Sequence, residues 1–380
     1  MILTILLSLS LLIWIAALID AIIGFNNLNR LEEEEPSQQG PKLSIIVAAR
    51  NEEKSIEHSI KSQFLQKYEP IEWILVNDRS VDQTGKIMDN IQKEDSRAKV
   101  IHIEALPAGW LGKNHALHVG SKKASGELLL FTDADVIFKD DAIGKAVQYF
   151  TKNNLDHLTA APNLNGKRFW LRSFIGFFLF GFSYYKRPWL ANRKSSKTGM
   201  GIGAFNLVSK EAYKKLGTHE TIKMRPDDDL MLGMLMKQRG FNQRIVTALN
   251  LLEVEWYGSL REAFIGLEKN TFAGLHYRMS MVLLAITGTF FSQVLPFFTL
   301  LSTDTTIFLL SFANVVVLAV LYSIIIRRMT TFSPSMFLVF PITALLFIYS
   351  IIRASFLTFV RGGIVWRGTK YRLSELREKK

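Results

Sequence analysis

The sequence predicts an α/β fold, a mostly parallel sheet covered by helices and held between membrane-spanning segments. Short apolar runs alternate with helical patterns through the middle of the chain. Both ends carry apolar stretches of about twenty residues, the length a bilayer-crossing helix needs. Charged residues concentrate between them.

The elements follow in order. Residues 2–24, "ILTILLSLSLLIWIAALIDAIIG", carry one charge, Asp20. No basic start, shortened apolar core or small-residue cleavage site marks a removable leader, so 1–25 reads as an uncleaved transmembrane anchor. "EEEEPSQQGP" (32–41) is a polar linker. "KLSIIVAAR" (42–50) is a short apolar run with a β-branched centre, the pattern of a buried parallel strand. In 52–66, Ile56, Ile60 and Phe64 stand at helical spacing. "EWILVND" (72–78) repeats the strand pattern, 80–94 reads as helix, and "KVIHIEA" (99–105) as a third strand. A helix over about 113–124 and a strand over 127–132 follow. "FWLRSFIGFFLFGFSYYKRPWLANR" (169–193) is rich in aromatics and too short for a span, with Arg172 inside it. It predicts an interfacial helix over about 169–190. "RPDDDLMLGMLMKQRGFN" (225–242) predicts a helix stopped by Gly240. The soluble domain is thus expected at 41–275, a membrane region at 280–362 and a basic tail at 363–380.

Within the membrane region, 281–301 and 305–326 are candidate spans, and 336–360 is a third, interrupted by Pro341 and Arg353. Arg327, Arg328 and the tail "RGGIVWRGTKYRLSELREKK" are basic and point to the cytoplasm. A third complete span would carry the tail outside. The expectation is therefore that 336–360 is re-entrant or interfacial, with Pro341 as the break.

Composition limits the chemistry. The chain has no cysteine, which excludes disulfides and thiolate catalysis. A formal charge of +12 calls for an anionic partner. The membrane segments favour anionic lipid and a phosphorylated substrate over nucleic acid.

Three polar clusters fall at the carboxyl ends of expected strands, where ligands bind in such sheets: Arg50-Asn51-Glu52, Asn77-Asp78-Arg79 and Asp133-Ala134-Asp135. The first strand is followed by "ARNEEKS", without the glycines of a dinucleotide loop, and no Walker loop is present. "GMGIG" (199–203) follows a polar stretch and is a poor phosphate cradle. Carboxylates at 133 and 135 are hard ligands suited to magnesium or manganese, which bridge readily to a diphosphate. Asp227, Asp228 and Asp229 exceed what capping a helix requires, and neighbouring carboxylates raise one another's pKa, which suits a general base. His115 and His118 have the spacing of packed helix residues.

Taken together, "SIIVAARNEEKSI", "VNDRSVDQTG", "GWLGKNHAL", "FTDADV" and "DDLMLGMLMKQRG" resemble, in family order, the family 2 inverting glycosyltransferases of GT-A nucleotide-sugar-binding fold. The resemblance covers about residues 41–270. "GWLGK", "LEKNTFAGL" and "VWRGTKY" are similar to the membrane-bound branch, which includes carotenoid, hopanoid-associated and ceramide glucosyltransferases. It implies that Ala48, Ala49, Arg50 and Glu52 border the nucleotide and that Asp78 contacts the base or ribose. Lys113 would reach the phosphates, Asp133 the ribose or sugar, and Asp135, with Asp133, a divalent metal. Asp229 would be the catalytic base, preceded by Asp228. Where processive members carry Gln-x-x-Arg-Trp, this chain has "GLEKN", with Lys269 and Asn270 on the acceptor side.

The implied activity is inverting, metal-dependent transfer of a sugar, from a nucleotide-diphosphate donor such as a UDP-hexose, to a lipid hydroxyl. It would take place at the cytoplasmic face of a bacterial membrane. A processive polysaccharide synthase and a catalytically silent nucleotide-sugar-binding protein are the alternatives.

Overall fold

The computed structural model describes residues 1–139, 141–275, 277–366 and 369–372. The elements run α1 (Ile2–Phe25), β1 (Gln39–Ala49), α2 (Ile56–Phe64), β2 (Glu69–Asp78), α3 (Thr84–Glu94), β3 (Ala98–Ile103) and α4 (Gly112–Lys123). Then come β4 (Leu128–Asp133), β5 (Val136–Phe138), α5 (Ala142–Lys152), β6 (His157–Asn165), α6 (Phe169–Lys186), β7 (Asn206–Ser209), α7 (Lys210–Leu216), α8 (Asp228–Gln238) and β8 (Gln243–Glu255). The chain continues through α9 (Leu260–Gly274), α10 (Met279–Thr289), α11 (Leu295–Thr299), α12 (Thr305–Met329) and α13 (Phe340–Val360). A hairpin of β9 (Gly363–Trp366) and β10 (Thr369–Arg372) follows.

Two compact units emerge. One comprises residues 24–164 and 188–255, the other 1–23, 165–187 and 256–380. The first is built on an eight-stranded sheet in the order β3-β2-β1-β4-β7-β6-β8-β5. Strands β3, β2, β1 and β4 are parallel, as their apolar runs predict. Beyond β4 the sheet reverses: β7 is antiparallel to β4, β6 to β7, and β5 to β8. The fold is therefore a mixed α/β sheet whose parallel half is the part the sequence pattern marks.

Both faces of the parallel half are covered, which explains why its strands are apolar without alternation. Ile45, Val47, Leu75 and Leu130 enter one core; Ile46, Val76, Leu129 and Phe131 enter the other, against α4 and α8. Helices α2 and α3 begin later than their periodicity suggests. The residues before them spend their hydrogen bonds stitching two loops together: the N–H groups of Asn51, Glu52 and Glu53 donate to Ser80 Oγ, Thr84 Oγ1 and Asp82 Oδ2. Asn51 Oδ1 and Glu53 Oε2 in return accept from the N–H groups of Val81 and Gln83.

In the second unit, four helical stretches are long and apolar enough to cross a membrane among the described residues: Ile2–Phe25, Met279–Thr299, Thr305–Met329 and Pro334–Val360. The second contains a π-helical turn, Phe290–Val294, ahead of Pro296. Helix α6 buries Phe174, Phe177 and Phe180 against Phe347, Phe340 and Tyr322 and leaves Phe169, Trp170 and Tyr185 exposed. Charges in apolar surroundings are paired, as their desolvation cost demands. Asp20 accepts from Arg187 Nε at 2.8 Å. Glu268 of α9 holds Arg353, and Arg361 at 3.0 Å.

Candidate active site

The site starts from strand register. Ala48 on β1 stands opposite Val76 on β2 and Asp133 on β4, and Ala49 opposite Asn77. Asp78 and Asp133 thus flank the end of β1, two strand spacings or roughly 10 Å apart. Ala48 lies at the edge, half-buried, while Ala49 points into the core and could meet a ligand only through its backbone. Arg50 is half-buried where β1 ends. Asp78 is buried and gripped by Arg79, whose Nε and Nη2 donate to its two oxygens at 2.8 and 3.1 Å. Arg79 holds a left-handed backbone, φ 56°, a conformation uncommon for such a residue.

Two acids from distant parts of the chain meet at one glycine. Asp133 N–H donates to the Gly203 carbonyl at 3.1 Å, and Gly203 N–H donates to Asp229 Oδ2 at 2.7 Å. Asp229 Oδ1 accepts from Leu230 N–H at 2.8 Å. Lys113 Nζ lies 2.7 Å from Asp133 Oδ1 and 3.6 Å from Asp228 Oδ2. The "GMGIG" segment is therefore a close-packed strap. A Cβ on Gly203 would sit 2.5 Å from Asp133 Oδ2, and one on Gly201 would overlap the Asp229 carbonyl. Lys113, Asp133, Asn206, His219, Asp228 and Asp229 line one cavity. Asp227 turns away: both its oxygens accept from Arg225, at 2.8 and 2.9 Å, which leaves Asp228 and Asp229 as the acids of the site.

Electrostatics follows from this crowding. Burial alone would lower the Lys113 pKa, but Asp133, Asp228 and Asp229 more than offset it, and the ammonium stays charged. Burial raises Asp229, Lys113 draws it back, and Asp133 pushes it up again; the net direction is upward. Asp135 is pushed to about 7 by burial first, then by Asp133 and Glu52.

That raised carboxyl is the fit test for a metal. A group that ionises reluctantly beside two other carboxylates gains most from a divalent cation. Asp135, with Asp133, would hold it. Among the described residues no cluster of three Asp, Glu or His side chains has ligand geometry. Magnesium commonly takes one or two carboxylates and completes its shell with substrate phosphate and water, so the donor set suits it.

The remaining expectations resolve variously. His115 and His118 pack against Trp110, with ring centroids at 5.4 and 5.0 Å, and His118 faces Glu220. The side chains of Lys269 and Asn270, like most of the basic tail, lie outside the described residues. Gly203, Asn206 and His219 escaped the sequence reading. The spacing of the glycines in 199–203 was a signal for close approach, yet it did not say to what.

The glycosyl transferase family 2 model matches residues 44–217. An uncharacterized glycosyltransferase of Haemophilus influenzae is 40% identical over 120 residues, 32% of this chain and 35% of that protein. A 4,4'-diaponeurosporenoate glycosyltransferase of Staphylococcus aureus is 27% identical over 220 residues, 55% of each chain. The chain thus spans about a third to three fifths of the length of the curated relatives it matches. Among solved structures, a Pyrobaculum calidifontis mannosyltransferase, in complex with GDP-Man and Mn2+, superposes with a TM-score of 0.53 at 14% identity, covering 94% of this chain and 99% of that one. That likeness shows a shared fold, GT-A. Residues 44–217 are a glycosyl transferase family 2 domain.

Proposed function

We propose that the chain is a membrane-bound glycosyltransferase. It moves a sugar from a nucleotide-diphosphate donor, a UDP-hexose in the first instance, to a hydroxyl of a lipid acceptor, with inversion. The observation that carries this reading is the convergence of Asp133 and Asp229 on Gly203, with Lys113 paired to Asp133, at the carboxyl edge of the parallel strands.

Each group has a task that its surroundings suit. Asp229, its pKa raised, accepts the proton of the attacking hydroxyl. Lys113 remains charged and balances the negative charge of the departing diphosphate. Asp78, held by Arg79, and the end of β1 offer a rim for the nucleoside. Magnesium or manganese, held by Asp135 and Asp133, would supply Lewis-acid stabilisation of the leaving group. One displacement needs no covalent intermediate. The Staphylococcus aureus relative is named for a carotenoid-related acceptor and the Pyrobaculum calidifontis structure holds a nucleotide sugar with Mn2+; both support this choice of partners. The apolar helices support a membrane location and a lipid acceptor, and the basic Arg327, Arg328 and tail favour the cytoplasmic side of a bacterial membrane for the sheet unit.

The test uses membranes bearing the full chain, a panel of labelled nucleotide sugars, and mass spectrometry of extracted lipids. A lipid gaining one sugar is expected, and label in long polymer would favour a processive synthase. Asp229→Asn should keep nucleotide-sugar binding and lose transfer by roughly 10²–10⁴-fold. Asp135→Asn should abolish metal-dependent transfer in a folded protein. Unchanged turnover in Asp135→Asn removes the metal assignment, and loss of donor binding in Asp229→Asn moves Asp229 into the nucleotide pocket.

A further inference from the structure

His219 lies in the helical turn Thr218–Ile222 directly after α7, and is 1% exposed. Its turn is pinned from both sides. Asn114 Nδ2 donates to the carbonyls of Ile222 and Arg225, and Leu111 N–H donates to the Lys223 carbonyl. The ring packs edge-on to Phe131, centroids 4.9 Å apart.

The proton on the ring can be placed by counting hydrogens. Tyr213 Oη accepts from His219 N–H at 3.1 Å and has one proton to give. Around it stand His219 Nδ1 at 2.6 Å, Ser121 Oγ at 3.4 Å and the Thr218 side chain. The short contact takes the proton, so Nδ1 is an acceptor and the neutral imidazole carries its hydrogen on Nε2. Burial keeps the ring neutral. Among the described residues no protein group is hydrogen-bonded to Nε2, yet the ring lines the cavity shared with Lys113, Asp133, Asp228 and Asp229. A buried ring N–H needs a hydrogen-bond partner, and this one finds it in what enters the cavity.

The chemistry of that cavity is lopsided. Among the described residues, its carboxylates only accept hydrogen bonds, Lys113 is held by Asp133, the Thr132 hydroxyl donates to the Ala204 carbonyl, and the Asn206 amide is the other donor on its wall. A sugar hydroxyl donates one hydrogen bond and accepts others. We propose that His219 is a sugar-binding residue. Its Nε2–H donates to a hydroxyl oxygen of the hexose under transfer, and Tyr213 positions it. This inference rests on the glycosyltransferase reading and deepens it.

Calorimetry on the full chain in detergent with magnesium tests it, using UDP-glucose, UDP-N-acetylglucosamine and GDP-mannose against UDP and GDP. In His219→Phe, affinity for the preferred nucleotide sugar is expected to fall about 10-fold, equivalent to roughly 1.4 kcal/mol, with the parent diphosphate bound as before. Tyr213→Phe should lose less, again only for the sugar form, and His219→Asn provides a smaller replacement should the phenyl ring not fit. Unchanged sugar affinity, or equal losses for sugar and parent diphosphate across these variants, overturns the assignment. If the unmodified chain binds a parent diphosphate and none of the sugars, the donor reading itself falls, and this inference with it.

Discussion

Gly203 shows how little room the site leaves at the scale of one residue. Its N–H donates to the Asp229 carboxylate and its carbonyl accepts from the Asp133 backbone N–H, so its backbone ties the two acidic residues together. What the position requires is the absence of a Cβ, which would press to 2.5 Å of Asp133 Oδ2 and 3.3 Å of Asp229 Oδ2. Gly203→Ala should therefore displace both carboxylates. We expect transfer to fall by about two orders of magnitude, because ångström-scale misplacement carries that cost. The stability loss should be about 1–3 kcal/mol, as for other overpacked positions. Steady-state rates and melting curves of the purified variant check both, and full activity would show that the strap gives way. The same reasoning separates the three consecutive acids: Asp227 is spent on Arg225, whereas Asp228 and Asp229 face the cavity.

Between strands, the parallel half of the sheet is clamped at the end opposite the acids. Glu72 on β2 accepts from Ser44 Oγ of β1 at 2.7 Å, from Ser125 N–H and Oγ at 2.7 Å, and from Lys99 of β3 at 2.8 Å. Burial would raise the carboxyl, but Lys99, Ser125 and Ser44 outweigh it and lower its pKa to about 2. Because the folded value lies below the ordinary value of 4.5, the stabilisation is complete above that pH and fades as pH falls toward 2. Its size is roughly 2–3 kcal/mol. Glu72→Gln should melt well below the unmodified chain at pH 7, and the gap should narrow below pH 4.5. A gap independent of pH would assign the effect to shape rather than charge.

For the whole molecule, the open matter is which side of the membrane each end faces. The sequence expects 336–360 not to cross. In the helical unit, α13 packs along α6 through Phe340 and Phe347, and along α9 through Tyr349 and Arg353. Both of those helices join the sheet unit directly in sequence, α6 at each end and α9 after β8. By length and apolarity Pro334–Val360 could equally cross, so the side on which the tail lies decides between the two courses. The chain lacks cysteine, so single introduced cysteines report location without background. Val81→Cys, at a position 90% exposed, and Ser374→Cys should label from one side of sealed vesicles. Leu301→Cys, 86% exposed, should label from the other. Opposite labelling of positions 81 and 374 would make α13 a complete span.

The sequence by itself determined the alternation of buried strands and helices, the apolar helices at both ends, and the acids that close β2, β4 and the start of α8. Those features are local: periodicity, β-branching and strand-terminal charge are written in neighbouring residues. Only the tertiary structure decided what meets those acids. Antiparallel pairing of β7 with β4 sets Phe131 opposite Asn206. The chain ahead of β7 is thereby drawn past the end of β4, so that Gly203 reaches Asp133 and the start of α8. Neither that register nor the reversal of the sheet has a signature in either segment alone, because strand pairing is chosen by the packing of the whole sheet rather than by its members. His219 was invisible for the same reason. Its role depends on a phenol six positions earlier in the chain and on a cavity whose other walls come from β4, α4 and α8.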